Sequence, residues 1–561
     1  MVRHPLALAT SAWLATATIV SGCLVSFDLP SDAGSVDAGL DATREDAAPL
    51  PFEPYPPFDA GPPRGRNALG FSRVAFGIQD AHTARGGTQI FDVDLNDHDG
   101  DGDLDVLVLD RGGLPPQADA AAPPSVVLRS AIVEANDMRF DDVTTSVFDI
   151  AGAEWDLSGQ DWLFFAPLAP SMLFAPQYFV AGWAYEVASP LRFTVAERFP
   201  GGDNDLAGEG FTTGDVNGDG RPDVLVTSWG RPTQLFLRTA SGGWEERSEF
   251  PHDLVSTRSA WLADFDDDGV LDLLTMPYAE TLVARDWPAT LPPIEAHLMR
   301  GLPSGEFEST RATAALEDDA LNVGIAAVGD FDGDGRLDIF QAGRRVAPET
   351  ARPVSPDTPM EIRVLFNEGG MQLTPVTIPL ALPARIVDHA IAADLDNDGD
   401  LDVAMLANEL RVYLSDGARG FTFAQFTGVF HEEGIAAGDV DLDGDVDVLE
   451  HGFEEVDVLR NGTNGTDFLE VWLRAGDQNP EAIGASIRVV PAGRGGDPSA
   501  PIIARRDVLS SSAQPVAYAL HVGLPEGAES TFDLEVRWPG ATTPHVVHDV
   551  PRGARLRVRR P

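Results

Sequence analysis

Six copies of one nine-residue pattern, Asp-x-[Asp/Asn]-x-Asp-Gly-x-x-Asp, run through this chain. They are DHDGDGDLD from Asp97, DVNGDGRPD from Asp215, DFDDDGVLD from Asp264, DFDGDGRLD from Asp330, DLDNDGDLD from Asp394 and DVDLDGDVD from Asp439. A hard divalent cation such as Ca2+ takes roughly six to eight oxygen ligands from carboxylates, amide and backbone carbonyls and water. Oxygens at positions 1, 3 and 5 of a tight loop converge on one point. Position 6 must turn sharply, which favours a residue tolerant of positive φ. It is glycine every time: Gly102, Gly220, Gly269, Gly335, Gly399 and Gly444.

Position 7 is chemically unrestricted, as expected if it offers its backbone carbonyl, and position 9 is always Asp. The metal-ligand set is thus Asp97, Asp99, Asp101, Asp103 and Asp105 in the first loop, and Asp215, Asn217, Asp219, Arg221 and Asp223 in the second. It is Asp264, Asp266, Asp268, Val270 and Asp272 in the third, and Asp330, Asp332, Asp334, Arg336 and Asp338 in the fourth. The fifth has Asp394, Asp396, Asp398, Asp400 and Asp402, and the sixth Asp439, Asp441, Asp443, Asp445 and Asp447. Asp and Gly also make plain polar turns. Six copies with the fourth carboxylate in register point instead to about six Ca2+ ions. Loops so rich in protein ligands, and repeated along the chain, suit structural clips better than a reactive centre.

An EF-hand shares the first half of this pattern but needs a chelating Glu at position 12 and a helix after it. Position 12 is Val108, Val226, Thr275, Gln341, Met405 and Glu450, of which only the last could chelate. After position 9 comes a short apolar run, such as VLVL from Val106 or VAML from Val403, and such runs read as buried strands. The loops therefore connect strand to strand.

The loops start 118, 49, 66, 64 and 45 residues apart. That period, with short strands, is the range of β-propeller blades, each a four-stranded sheet. The first gap is about twice the others, so a blade without a metal loop is expected around Phe140 to Phe199, giving seven. Several loops are succeeded by an apolar strand and a Gly turn, at Gln234, His297, Val364, Val412 and Asp457, each reading as an outer hairpin. Upstream of the loops lie small-residue strands such as GIAAVGD at Gly324 and GIAAGD at Gly434, which suit a crowded interior. The expected fold is all-β: a seven-bladed β-propeller with calcium loops over 66–465, followed by a small C-terminal β-domain over 466–561. An open solenoid is the alternative, but no capping repeats are recognisable.

The repeats resemble the FG-GAP or VCBS family of integrin-type propellers. In the C-terminal segment, Ile483-Gly484-Ala485-Ser486, His521-Val522-Gly523-Leu524 and Val536-Arg537-Trp538-Pro539-Gly540 resemble the ASPIC/UnbV domain that follows such propellers. The combination is similar to the cartilage acidic protein family.

The chain holds 39 basic against 89 acidic residues, a formal charge of −50, which makes nucleic acid and anionic lipid headgroups poor partners. Its one cysteine, Cys23, excludes an intramolecular disulfide. Arg3, an apolar stretch from Leu6 to Val20, and Ser21-Gly22 precede it, the layout of a secretory signal. Val20-Ser21-Gly22-Cys23 resembles the bacterial lipobox, so residues 1–22 are expected to be cleaved and Cys23 to be lipidated. Leu24, by resemblance to enteric sorting, favours the outer membrane, periplasmic or surface-exposed. Residues 23–65, rich in Asp, Ala and Pro, read as a disordered tether, so the membrane is engaged through the N-terminal lipid only.

No HExxH, GxSxG, P-loop or CxxC is present, and a lipidated lone cysteine is no nucleophile. His545 and His548 lie three apart in an expected strand, on opposite faces. Asn461-Gly-Thr and Asn464-Gly-Thr match glycosylation acceptors, a weak signal in a bacterial lipoprotein. The sequence thus reads as a calcium-binding, lipid-anchored cell-envelope scaffold for a protein or polysaccharide ligand. The alternative is a propeller-platform enzyme acting on carbohydrate. Trp155, Trp162, Phe164, Phe165 and Trp183 either pack a core or form a ligand pocket, in which converging carboxylates would favour the enzyme and a flat aromatic patch the scaffold. Propellers host both, so fold does not decide.

Overall fold

The computed structural model describes residues 53–54, 71–110, 126–130, 140–142, 164–198 and 208–561, with short gaps inside the longer stretches. Cys23, the signal segment, Trp155, Trp162 and the loop residues Asp99 and Asp101 lie outside the described residues, as do the side chains of Phe164, Phe165 and Trp183.

The described chain is all-β apart from a short helix, Ile78–Ala84, and most of its sheets are antiparallel, four-stranded and repeated, as in a β-propeller; Phe468–Arg474 and Ala554–Arg559 form a parallel pair, and one sheet gains a fifth strand. The first sheet contains Ile90–Asn96, Asp105–Asp110, Val126–Ser130 and Phe140–Asp142, in that order. The second, Phe164–Ala166, Met172–Gln177, Val180–Ala188 and Arg192–Arg198, occupies the long gap between the first two Asp loops. The third runs from Gly208 to Glu246, the fourth from Thr257 to Ser309, the fifth from Leu321 to Ile378 and the sixth from His389 to Phe426. The seventh combines Gly434–Gly438, Asp447–His451 and Val456–Arg460 with Ser72–Val74 from the other end of the chain.

That last pairing corrects the expectation of an outer hairpin at Asp457. Val456–Arg460 is followed by no fourth strand of its own. Its outer neighbour is Ser72–Val74, in register Ser72 to Arg460 and Val74 to Val458. The first strands also pack side by side in sequence, 164–166 on 208–214, 208–214 on 257–263, then 321–329, 389–393 and 434–438, and the last of these packs on 90–96. The ends of the repeat array therefore meet, which an open solenoid would not allow.

First strands converge, so they need small residues. Thr257–Ala263, His389–Ala393 and Gly434–Gly438 are buried throughout. A Cβ on Gly329 would lie 2.5 Å from Leu401 Cδ1 of the next sheet, and one on Gly214 would lie 2.6 Å from Leu271 Cδ1. Position 8 of a loop thus fills the space that a glycine leaves at the end of the preceding first strand.

Side chains at the end of the third strands lock neighbouring sheets. Asn367 Nδ2 donates to Phe265 O at 2.8 Å, Ser415 Oγ to Phe331 O at 3.2 Å, and Asn461 Nδ2 to Leu395 O at 2.7 Å. Each acceptor is the position-2 carbonyl of the preceding sheet's loop. Asn461 is therefore buried and engaged in this latch, and the reading of it as a glycosylation acceptor falls.

The C-terminal segment supplies two more four-stranded sheets. In one, Phe468–Arg474 lies between Ala554–Arg559 and Leu520–Gly523, and Glu53–Pro54 adds an outer strand on Ala554–Arg559. That pair lies within the stretch expected to be a disordered tether; backbone pairing with Leu556 and Arg557 gives it a defined place. The other sheet orders Ala504–Asp507, Ser486–Pro491, Thr531–Arg537 and His545–Pro551. Between them, Ser510–Ser511 pairs with Trp261 and Leu262 on the free edge of the fourth sheet's first strand.

Replacing Asn461 by Ala leaves the Leu395 and Val446 carbonyls without this donor. It should lower stability by about 1–3 kcal/mol, read as a shift of the urea midpoint with calcium present; an unchanged midpoint would show that the latch carries no stability.

Candidate metal centres

Each of the six Asp loops joins the first and second strands of its sheet, with position 1 directly after the first strand and position 9 opening the second. The position-2 side chains Val216, Phe265, Phe331, Leu395 and Val440 are buried and anchor five of the loops. The glycine at position 6 is at positive φ in all six, from 85° at Gly220 and Gly335 to 105° at Gly399. Its N–H donates to Oδ2 of the position-1 Asp: Gly220 to Asp215 at 2.7 Å, Gly269 to Asp264 at 3.0 Å, Gly335 to Asp330 at 2.9 Å, Gly399 to Asp394 at 3.1 Å and Gly444 to Asp439 at 2.8 Å.

Position 4 also takes the left-handed conformation, at Gly218, Asp267, Gly333, Asn397 and Leu442. The sequence carried this signal, since Gly, Asp and Asn dominate there, but Leu442 hides it.

The position-9 aspartate does a second job. Its Oδ2 accepts the N–H of position 2: Val216 to Asp223 at 3.0 Å, Phe265 to Asp272 at 2.8 Å, Phe331 to Asp338 at 3.0 Å, Leu395 to Asp402 at 2.9 Å and Val440 to Asp447 at 3.0 Å. Its Oδ1 accepts an N–H from the end of the third strand: Arg238, Gly301, Asn367, Ser415 and Asn461 in the same five loops, and Ser130 on Asp105 in the first. The sequence gives no sign of this brace, because a ligand and a brace are the same letter.

Carboxylate oxygens converge within 4.8 Å of one another in four loops: Asp264, Asp266 and Asp272; Asp330, Asp332 and Asp338; Asp394, Asp396 and Asp402; and Asp439, Asp441 and Asp447. The second loop has Asn217 at position 3, whose amide oxygen can replace a carboxylate. Position 5 is turned by its loop: its Oδ1 accepts the position-7 N–H in Asp219, Asp268, Asp334, Asp398 and Asp443. The position-7 side chains point elsewhere. Arg221 and Arg336 pair with Asp219 and Asp334, and Asp445 Oδ1 accepts from Asn397 Nδ2 at 2.7 Å.

Burial sets the electrostatics. It pushes Asp264, Asp330 and Asp394 up to about 7, and Asp439 well above the ordinary carboxylate range. Asp396 and Asp400 rise to about 6 and Asp441 to about 7, through burial first and the carboxylate of Asp398 or Asp443 second. Asp223 and Asp338 are pushed to about 8 by burial, and Asp272, Asp402 and Asp447 well above their ordinary value. Arginines from within the repeats offset part of this charge: Arg300 on Asp266 at 2.9 Å, Arg419 on Asp332 at 2.8 Å, and Arg460 on Asp441 and Asp443. Yet Asp330 Oδ1, Asp394 Oδ1 and Asp396 Oδ1 are buried and accept no hydrogen bond. A buried acceptor left alone costs about 1–3 kcal/mol, and a hard cation satisfies several at once. The all-oxygen donor set fits Ca2+ and does not fit a soft metal.

Glu450, the one position-12 residue able to chelate, lies outside the four groups. It sits in the strand Asp447–His451, paired with Ile435 and Asp457, so no EF-hand geometry exists there. It is fully buried, neither carboxylate oxygen accepts a hydrogen bond, and burial, with the Asp457 charge second, pushes it up to about 8.

A cavity of about 80 Å3 lies where the first strands end, between Gly329, Ala393 and Gly438 on one side and Arg505, Arg506 and Tyr518 of the C-terminal segment on the other. That is smaller than the roughly 300 Å3 at which ligand pockets begin. No helix among the described residues is long and apolar enough to cross a membrane.

Comparison with known proteins gives a family match in two places: the FG-GAP-like repeat family matches residues 215–275 and 394–450, each span opening on an Asp loop. The chain thus carries FG-GAP-like repeats. Among solved structures, it is similar to the extracellular domain of a putative hybrid two-component system from B. thetaiotaomicron, at 10% identity and a TM-score of 0.39. That likeness covers 89% of this chain and 60% of the other, so the chain spans less than two thirds of its length. A search of curated proteins returns no significant match.

The raised pKa of Glu450 fixes a pH dependence. The folded state holds the proton, so this contribution to stability is complete below the unfolded value of 4.5 and is lost as pH rises through about 8. Glu450→Gln, always neutral, should leave stability near pH 5 almost unchanged. At pH 9 it should raise it by about 1–3 kcal/mol, measured by urea denaturation; equal effects at both pH values would contradict a buried, unpartnered carboxyl.

Proposed function

We propose that this protein is a calcium-stabilised, lipid-anchored β-propeller of the cell envelope that acts as a binding scaffold. The observation that carries the metal reading is the recurrence of buried converging carboxylates with orphaned oxygens in the FG-GAP-like loops. In each loop the cation would be held by side-chain oxygens of positions 1, 3, 5 and 9 and the carbonyl of position 7: Asp394, Asp396, Asp398, Asp400 and Asp402 in the fifth, and Asp439, Asp441, Asp443, Asp445 and Asp447 in the sixth. When bound it supplies positive charge and coordination to a loop already shaped by its own hydrogen bonds.

Seven four-stranded sheets, with the ends of the array in contact, support a seven-bladed ring. The C-terminal segment, from Thr466, reads as a β-domain similar to ASPIC/UnbV that shares one apolar core with the first and seventh sheets. Its three motif anchors occupy the strand ends and turns nearest the loops.

A binding role is supported by how the acidic residues are used. The four converging carboxylate groups all lie in the repeat loops. On the loop side the C-terminal segment covers the first-strand ends of the fifth, sixth and seventh sheets, with a cavity of about 80 Å3 between them. The ligand, a protein or polysaccharide, is therefore expected on the opposite face or the outer strands.

Saturating calcium should raise Tm over the metal-free protein by about 5–10 °C, and magnesium should do much less. A scan with and without calcium that showed no difference would sink the metal reading. Labelled palmitate should enter the wild-type chain and not Cys23→Ser in bacterial cells; equal labelling would remove the lipid anchor. Recovery of the same envelope protein or polysaccharide with calcium and not with EGTA tests the scaffold.

A further inference from the structure

The C-terminal segment is electrically unlike the rest of the chain. Between Thr466 and Pro561 eleven arginines stand against eleven acidic residues, so the whole formal charge of −50 lies upstream. Several of those arginines reach the Asp loops. Arg506 Nη2 lies 3.0 Å from Asp394 Oδ2 and donates to Gly399 O at 3.1 Å. Arg555 pairs with Asp439 Oδ2, Arg557 lies 3.6 Å from Asp97 Oδ2, and Arg537 lies 3.8 Å from Asp264 Oδ2. Arg505 donates to the carbonyl of Gly335 at 2.6 Å in the fourth loop. Among the described residues, the loop at Asp215 takes no such contact.

At the fifth and sixth loops the arginine takes the same oxygen, Oδ2 of position 1, which the position-6 N–H also holds. At the third, Arg537 and Arg505 donate instead to Asp267 Oδ1, at 3.0 and 3.2 Å. At Asp394, Oδ2 accepts from Gly399 N, from Gly523 N at 2.7 Å and from Arg506, while Oδ1 is buried and accepts nothing. The backbone comes close enough to do this because residue 523 is glycine: a Cβ there would lie 2.4 Å from Asn397 Cα. His521 Nε2 and Asn397 Oδ1 are 2.7 Å apart beside it.

We propose that the C-terminal domain is a cation-coupled cap on the loop face of the ring. Arg506 and Arg555 are its positioning residues: each grips the outer oxygen of a position-1 aspartate, Asp394 or Asp439, and turns the inner oxygen toward the cation. Carboxylate, cation and guanidinium then form one bridge, with the aspartate in the middle. Five carboxylates line the fifth loop, more charge than one divalent ion neutralises, so a guanidinium on the far oxygen relieves the remainder without occupying the cage. Because linkage is reciprocal, a cation that binds the docked form better must also hold the cap down. This inference rests on the metal reading above.

The test is hydrogen–deuterium exchange of the full chain across a calcium titration, with the peptide covering 394–402 compared with that covering 215–223. In wild type both should become protected. Arg506→Gln should move the midpoint at 394–402 to about tenfold higher calcium or more and leave 215–223 in place. Arg506→Lys, which keeps the charge but not the fork, should fall between. Removing calcium from wild type should deprotect 504–507 and 520–523. If Arg506→Gln does not fold, Arg555→Gln is read at 439–447 against the same reference peptide.

An unchanged or lowered midpoint in the variant overturns the cap, since an arginine that merely substitutes for the cation would compete with it. A wild type in which neither peptide responds to calcium overturns the metal reading itself, and the cap with it.

Discussion

Five sheets of the repeat array hang on the position-9 aspartate and its two backbone hydrogen bonds. Asp402 shows the logic. One oxygen holds the N–H of Leu395 at the start of the loop, and the other holds the N–H of Ser415 at the end of the third strand. Ser415 then passes its hydroxyl to Phe331 O in the preceding sheet. A single carboxylate therefore shapes the loop, fixes the third strand and aligns the residue that locks the next contact around the ring. Asp338 with Asn367 and Asp447 with Asn461 repeat the arrangement.

That economy has an electrostatic cost. Bracing by carboxylates brings negative charge into the protein interior at several places, and burial drives these groups away from the ionised form. Arginines from the repeats answer part of it: Arg300 and Arg460 sit on carboxylates of positions 3 and 5. The buried oxygens of Asp330, Asp394 and Asp396 that accept no hydrogen bond lie in groups that could hold a cation. Histidine aside, every basic side chain in the sequence is arginine and none is lysine. The planar guanidinium reaches separate partners from separate nitrogens, as Arg506 does: Nε donates to His521 O, Nη1 to Arg505 O, and Nη2 to Asp394 Oδ2 and Gly399 O.

How much the sequence reveals depends on which constraints are local. The loops, their place between two strands and the small-residue first strands are legible, because cation spacing and crowding act over a few neighbouring residues. The sheet Phe164–Arg198 is legible as a gap, although it has no loop. The outer strand of the last sheet is not, because the partner, Ser72–Val74, comes from the far end of the chain. Asn461 misleads because its Asn-Gly-Thr context is a surface pattern, while its environment is set by Leu395 and Val446 of the loops around it. The capping arginines are equally hidden. Nothing in a stretch such as IIARRDVL separates an arginine facing a carboxylate from one facing water.

The division of labour between the two faces of the ring has the same chemical origin. All six loops leave the first strands at the same end, so the acidic oxygens gather on one face, and a segment that brings arginines without an excess of acidic residues can cover it without adding repulsion. The C-terminal segment meets that requirement, and Ser510–Ser511 extends it by pairing with the free edge of Thr257–Ala263. Thr212 and Thr213 of the adjoining first strand bind Ser510 as well, at 2.6 and 2.8 Å. Backbone pairing at the ring mouth and ion pairs at its rim thus hold the same segment, and each needs the other. The strand pairing fixes where the arginines land, and the arginines neutralise the carboxylates that the strand would otherwise approach unshielded. The face that gathers the carboxylates is thus covered by the chain itself, through residues whose charge opposes theirs.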